Sequence, residues 1–263
     1  MLITFNKYQG TGNDFVILDQ RKQQIIDPLD QKLIAFLCDR RFGIGADGLI
    51  LLEESVDYDF KMVYFNSDGK QSTMCGNGGR CIVHLAWTLG MFDKKTEFEA
   101  VDGMHKAEIL KNGEVSLQMR DVSKIIKLKN GHYELNTGSP HFVTFCDKMP
   151  VDIKNSGAEI RYSDQYNQEG INVNFVVAMD ENSLNINTYE RGVEDETLSC
   201  GTGVTAAALA FATDRQLIGK NEINVHTKGG RLSVSFTMTD KNECYEIWLT
   251  GPAVNVFSGN IQI

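Results

Sequence analysis

The chain contains no Cys-x-x-Cys pair, no cluster of lysine and arginine, no low-complexity stretch and no apolar run long enough to span a membrane. Each absence closes off a class of function. Without closely paired cysteines, neither a zinc site nor a thioredoxin-like redox motif is spelled; between Cys75 and Cys81 lie five residues. With 35 acidic residues against 26 basic, and a net charge of −9, nothing suits a phosphate backbone or an anionic lipid surface. The opening Met1-Leu2-Ile3-Thr4-Phe5-Asn6-Lys7 lacks the basic region, apolar stretch and cleavage site of a secretory signal. The expectation is a soluble cytoplasmic protein with no nucleic-acid or membrane partner. Its six cysteines should be reduced thiols, with Cys38, Cys146 and Cys244 buried as small apolar residues.

What the chain does contain is a repeat. Met74-Cys75-Gly76-Asn77-Gly78-Gly79 returns as Ser199-Cys200-Gly201-Thr202-Gly203-Val204, 125 residues later in a chain of 263. Gly10-Thr11-Gly12-Asn13-Asp14-Phe15 is echoed by Asn136-Thr137-Gly138-Ser139-Pro140-His141, with Gly12 and Gly138 126 apart. A constant offset over two separate motifs indicates an internal duplication, and the length suits two domains of common size. Residues 1–121 with 251–263 should form one half and 122–250 the other.

Short apolar or alternating runs over 2–5, 14–19, 59–65, 104–110 and 114–119 read as strands between turn signals such as Lys111-Asn112-Gly113. Three stretches carry the helical period. The first has Asp27 and Pro28 as start signals and Leu29, Leu33, Phe36 and Leu37 on one face before Gly43. The second runs from about 78 to 89, with Ile82, Leu85, Ala86 and Leu89 inward. The third runs from about 203 to 217 and is so rich in alanine that it should be enclosed on all sides. The fold class is therefore α/β (α+β): two pseudo-symmetric domains, each with strands wrapped around a central helix.

The second and third helices begin just after a Cys-Gly-x-Gly. A cysteine at a helix N-terminus lies where unpaired backbone N–H groups and the helix dipole favour the thiolate, and the following glycines let an anion such as a carboxylate approach those N–H groups. Two such cysteines, one from each half, suit the removal of a proton from one face of a carbon and its return to the other. That chemistry needs the thiols in opposite states, one ionised and one protonated, so their titrations belong to the pair.

Taken together, Gly10-Thr11-Gly12-Asn13-Asp14-Phe15, Phe65-Asn66-Ser67-Asp68-Gly69, Met74-Cys75-Gly76-Asn77-Gly78-Gly79-Arg80-Cys81, Asn172-Val173-Asn174-Phe175 and Glu190-Arg191-Gly192 leading to Cys200-Gly201-Thr202-Gly203 closely resemble the diaminopimelate epimerase family, in order and over the whole chain. The resemblance implies two duplicated halves, the last strand returning to the first. It also implies cofactor-independent interconversion of LL- and meso-diaminopimelate, a step in making lysine and peptidoglycan precursors, with no metal. By matched position Cys75 and Cys200 would be the acid/base thiols. The backbone of Gly76-Asn77 and Gly201-Thr202 would receive the reacting carboxylate, and Asn13, Asn66, Asn174, Glu190 and Arg191 would hold the other charged groups. His141 and Glu190 match positions that tune the thiols. Phe257 matches an aromatic position associated with a homodimer interface.

Two positions depart from the pattern of many relatives. Gly48 stands where they have Gln, and Ser139 where they have Asn. Gly43-Ile44-Gly45-Ala46-Asp47-Gly48 fits the letters of a dinucleotide fingerprint, but it follows a helix and precedes a strand, the reverse of the context that motif needs. Two other readings remain: a related racemase acting on another amino acid, and a redox sensor in which the cysteines form a reversible disulfide. The second leaves the asparagines, Glu190 and Arg191 unexplained.

Overall fold

The computed structural model describes residues 2–263 and divides into two compact units, one ending at Leu117 and completed by Gly251–Ile263, the other Gln118–Thr250. The boundary falls a few residues before the expected one. Met119 N–H already bonds Ile247 O, and Val122 bridges to Cys244, so this stretch belongs with the second unit's strands.

The first unit runs β1 (Leu2–Gly10), β2 (Asn13–Asp19), α1 (Gln31–Cys38), β3 (Gly48–Glu53), β4 (Phe60–Asn66), β5 (Gln71–Ser72), α2 (Gly76–Thr88), β6 (Lys95–Ala100), β7 (Gly103–Ile109) and β8 (Val115–Gln118). The second runs β9 (Ile125–Lys127), β10 (Tyr133–Asn136), β11 (Pro140–Phe145), α3 (Ile153–Arg161), β12 (Asn172–Ala178), β13 (Ser183–Glu190), β14 (Asp195–Thr197), α4 (Gly201–Arg215), β15 (Gly219–Thr227), β16 (Gly230–Met238) and β17 (Cys244–Gly251). The last strand, β18 (Val254–Gln262), pairs antiparallel with β1.

The two units repeat one pairing scheme. In the first, β1 is antiparallel to β2, β2 parallel to β3, β3 antiparallel to β4, and β4 antiparallel to β5 but parallel to β6, which continues through β7 to β8. In the second, β10, β11, β12, β13, β14, β15, β16 and β17 follow the same sequence of antiparallel and parallel steps. The parallel steps are the ones bridged by helices, since only antiparallel neighbours can be joined by a tight turn.

Strands 2 and 3 read as unbroken apolar runs because both faces are covered. Val16, Leu18, Leu49 and Leu51 pack with Ile34, Leu37 and Cys38 of α1. The alternate residues Phe15 and Ile50 lie under α2 at Gly78. The second unit puts α3 against Val173, Phe175 and Tyr189, and α4 against the other face. Helix 4 is buried from Gly203 through Ala212, and β10, β11, β12, β13, β15 and β16 all contact it. Helix 2 is surrounded in the same way by β1, β2, β3, β4, β7 and β18.

Helix 1 starts later than its start signals suggest. Asp27 caps a preceding turn by accepting the Leu29 N–H, and Asp30 is the N-cap, accepting from Leu33 N. Leu29 is therefore exposed, as is Phe36, and Ile34, Leu37 and Cys38 form the buried face. Of the cysteines expected in the core, Cys38 and Cys244 are buried, whereas Cys146 is half-buried. Phe257 is exposed on β18, with its ring edge-on to Phe5.

Each central helix rests its first turn on a glycine. A Cβ at Gly203 would lie 2.5 Å from Asn174 Oδ1, whereas one at Gly78 would first meet Ile50 Cδ1 at 3.1 Å. Overpacking costs about 1–3 kcal/mol, while Gly→Ala in a helix gains roughly 1 kcal/mol of propensity. At Gly78 the neighbour is the tip of a flexible side chain and yields. At Gly203 it is a hydrogen-bonded amide and does not. Gly203→Ala should lower Tm and Gly78→Ala leave it nearly unchanged. Equal melting of the two variants would show that the seat under α4 is not tight.

Candidate active site

Cys75 and Cys200 are the N-cap residues of α2 and α4, both with extended backbone (φ −92°, ψ 127° and φ −117°, ψ 111°). Neither side chain caps a first-turn backbone N–H, so each sulfur stands at the edge of a ring of first-turn N–H groups that helix geometry leaves without a carbonyl partner. Gly76-Asn77 and Gly201-Thr202 supply these groups. The apolar surroundings of Cys38, Cys81 and Cys244 push those thiols up to about 12, which leaves them protonated and chemically inert.

In the first unit, Cys75 Sγ lies 3.6 Å from Asn13 Oδ1, which also accepts from Asn77 Nδ2 at 3.3 Å. Asn13 opens β2 and Asn66 closes β4, and the register Phe15–Gly48–Asn66 carries both ends to one margin of the sheet. Asn66 is exposed there. Gly48 sits between them with Tyr64 filling the place of its side chain: a Cβ would come within 2.6 Å of the Tyr64 ring. The Phe65 carbonyl oxygen lies equally close, at 2.6 Å, so a side chain here would require both that ring and the neighbouring strand backbone to move.

In the second unit, Cys200 Sγ lies 3.4 Å from Thr202 Oγ1, and the Thr202 carbonyl accepts from Thr137 Oγ1. Glu190 ends β13, half-buried, and Arg191 follows it, exposed. Arg191 donates to Glu169 O at 2.9 Å and to Ser139 Oγ at 3.4 Å. Among the described residues it pairs with no carboxylate, so its charge is available to an anion. Ser139, the other departure, also accepts from Asn172 Nδ2.

Asn174 is placed differently from expectation. It is fully buried, both its N–H groups are used, on His141 Nδ1 (3.0 Å) and Phe142 O (2.9 Å), and its Oδ1 accepts from Thr188 Oγ1. It holds His141 from beneath the site and offers a ligand nothing, because both residues point inward. Asn172, two residues earlier on the same face, does what the sequence reading missed. It bonds Ser139, Pro140 O and the Arg191 N–H, and so fixes both loops. Two asparagines alternating in a buried strand were the available signal, since asparagine is disfavoured there without a polar duty.

Burial pushes His141 down to about 3. The Asn174 N–H makes Nδ1 the acceptor, so the proton sits on Nε2, which has no hydrogen-bond partner among the described residues. No group of three or more metal-ligating side chains occurs among the described residues, and no helix there is long and apolar enough to cross a membrane.

This duplicated architecture is shared by a class of solved structures that differ widely in sequence. A phenazine biosynthesis protein of the PhzF family from Bacillus anthracis superposes with a TM-score of 0.75 at 14% identity, covering 100% of both chains. A hydroxyproline epimerase from Agrobacterium vitis does so with a TM-score of 0.69 at 15% identity, over 99% of this chain and 91% of that one. Within that class, the family model for diaminopimelate epimerase matches residues 5–125 and 133–256, and the chain belongs to that family. It is 53% identical over 257 residues to the diaminopimelate epimerase of Flavobacterium psychrophilum, covering 97% of this chain and 98% of that protein. It is 40% identical over 265 residues to that of Chlorobaculum tepidum, covering 97% and 99%.

The geometry at His141 predicts a residue that does not titrate in the working range. An unfolded histidine takes its proton near pH ~6.5, whereas this one stays neutral down to about 3. Folding stability should therefore fall as pH drops below the unfolded value, and His141 contributes nothing to pH dependence above it. The ring resonances of His141 in NMR should stay constant from pH 5 to 9 with the Nε2–H tautomer; a midpoint near 6.5 would contradict this environment.

Proposed function

We propose that this isomerase interconverts LL- and meso-diaminopimelate without a cofactor, by way of the thiols Cys75 and Cys200. The observation that carries the reading is the identical placement of the two cysteines as N-caps of the two duplicated central helices, in a chain of the diaminopimelate epimerase family. One thiolate removes the α-proton and becomes a thiol. The other thiol delivers its proton to the opposite face of the same carbon and becomes a thiolate. The reacting carboxylate, which gains charge as the carbanion forms, is received by the N–H groups of Gly76-Asn77 and Gly201-Thr202. A single preorganised donor of this kind is worth about 3–4 kcal/mol of barrier, so several together replace much of what a cofactor would supply.

The far end of the substrate sets specificity, because every amino acid has the same reacting centre. Arg191 is suited to the distal carboxylate, with Asn66 and Asn13 on the other charged groups, and Glu190 to an ammonium. His141 stays neutral and acts on the second half-site as a fixed dipole. Asn174 contributes by fixing that histidine. A homodimer with Phe257 at its interface and a cytoplasmic location complete the reading.

With LL-diaminopimelate in deuterated water, the protein should place deuterium at the α-carbon with inversion. Cys75→Ala and Cys200→Ala should each abolish epimerisation while leaving Tm within a few degrees. Turnover close to wild type in either variant would sink the two-thiol mechanism.

Lysine lacks the distal carboxylate and would leave Arg191 unpaired, a loss of roughly 1.5–3 kcal/mol for a charged hydrogen bond. Its kcat/KM should fall by at least ten- to hundredfold relative to diaminopimelate. Comparable values would favour a racemase of another amino acid.

A further inference from the structure

The two amides beside Cys75 have an orientation that their neighbours impose. Arg80, fully buried in α2, has only donors, and its Nη2 donates to Asn77 Oδ1 at 3.0 Å. The Asn77 NH2 must then point the other way, where Nδ2 donates to Asn13 Oδ1. At the far end the Asp47 carboxylate, an acceptor only, takes Asn13 Nδ2 at 2.8 Å. Asp47 is in turn held by Arg40, which also pairs with Asp14. A row of hydrogen bonds thus runs from a buried cation to a carboxylate. Its product is a carbonyl oxygen, and not an NH2, 3.6 Å from the Cys75 sulfur.

The duplicated unit has no counterpart. The matching positions carry Ser139, Thr202 and Thr205, whose hydroxyls rotate to donate or accept. Arg80, one turn along the helix from Cys75, is replaced there by Thr205, which bonds Gly201 O.

We propose that Asp47 and Arg80 are positioning residues that lock the Asn77 and Asn13 amides, so that Asn13 presents an acceptor to Cys75 and disfavours its ionised form. The inference rests on Cys75 being one of the acid/base thiols. An acceptor at 3.6 Å bonds a thiol and repels a thiolate; without Asp47 only the longer Asn77 contact, 3.3 Å, still holds the Asn13 oxygen there, and an amide that turns its NH2 toward the sulfur has the opposite effect. The charged and titratable groups around Cys75 in its unit are Arg80 and Cys81 on α2, Glu114 before β8 acting on Arg80, Asp102, which accepts from the Met74 backbone and pairs with His105, and Asp47, Asp14 and Arg40 behind Asn13; the variants below leave Arg80, Cys81, Glu114, Asp102 and His105 in place. The Arg80 guanidinium favours a thiolate through space, but it is shared among Gly76 O, Thr11 Oγ1, Asn77 Oδ1 and Pro252 O and is unaltered in the test below.

The test is the pH dependence of iodoacetamide alkylation at Cys75 and at Cys200, followed by peptide mass spectrometry on the full chain without substrate, in wild type, Asp47→Ala, Asn13→Ala and the double variant. Asp47 is exposed, and Arg40 keeps Asp14 as a partner, so the fold should survive. In the wild-type background Asp47→Ala should lower the midpoint for Cys75 by roughly 0.5–1 pH unit, the scale of one hydrogen bond. In the Asn13→Ala background it should shift nothing, and Cys200 should be unchanged throughout. Equal shifts in both backgrounds would mean that Asp47 acts by its charge alone, and no shift in either, or a parallel shift at Cys200, would equally overturn the proposal. Failure of the catalytic reading itself would show separately, as turnover retained by Cys75→Ala.

Discussion

Everything in this protein depends on setting the N-terminus of a buried helix directly onto a sheet. A helix enclosed by strands on all sides has nowhere to expose its first-turn N–H groups except at the sheet margin, so that end becomes a fixed, partly dehydrated donor site. Gly78 and Gly203 make the approach close enough. Their missing side chains let α2 lie over Phe15, Ile50 and Met62, and α4 over Asn174 and Thr188. The residue just before each helix is then held in extended conformation at the rim of the donors, and in both units that residue is cysteine. Backbone placement thus sets these two cysteines apart from Cys38, Cys81 and Cys244, of the same residue type, whose thiols burial pushes up to about 12.

Duplication supplies two equal frames, and what distinguishes the halves is the set of side chains at matched register positions. Beneath the first helix lie Phe15, Ile50 and Met62, with a buried arginine in the helix itself; beneath the second lie Asn174, with His141 bonded to it, and Thr188. At the margin, Asn66 of the first unit answers to Glu190 of the second, and Gly48 to Asn172. A racemising reaction needs one thiol charged and one neutral at any moment. Two identical half-sites would give each thiol the same tendency to ionise, so these differences are what such a reaction requires.

Much of this was legible in the sequence because its signals were local. The repeated Cys-Gly-x-Gly marked both helix starts, and the constant offset marked the duplication. The alanine-rich stretch marked α4 as enclosed. Less legible were features decided by tertiary contact. Helix 3 carries Gly157, packed against Tyr189, which weakens its propensity signal, although Asp152 caps it in the ordinary way. The start signals at Asp27 and Pro28 were real, but belonged to a turn ahead of α1. The exchange of roles between Asn172 and Asn174 was beyond reach of pattern alone. Both share one strand face, and only the loop carrying Ser139 and the ring of His141 decide which amide meets which partner.

The same limit explains Gly48. Read along the chain, a glycine in place of a longer polar residue looks like the loss of a contact. In the fold, the space is occupied by Tyr64, reaching across from the neighbouring strand and braced edge-on by Phe15. Side chains at directly paired and diagonal positions of adjacent strands compete for one volume, so a change at position 48 can only be interpreted together with position 64. The departure is therefore a change in which strand fills that part of the margin, with the backbone of β3 still in register with Phe15 on one side and Asn66 on the other. A site built at the ends of strands can in this way vary the groups lining it while its helix N-termini, and the cysteines they hold, stay fixed.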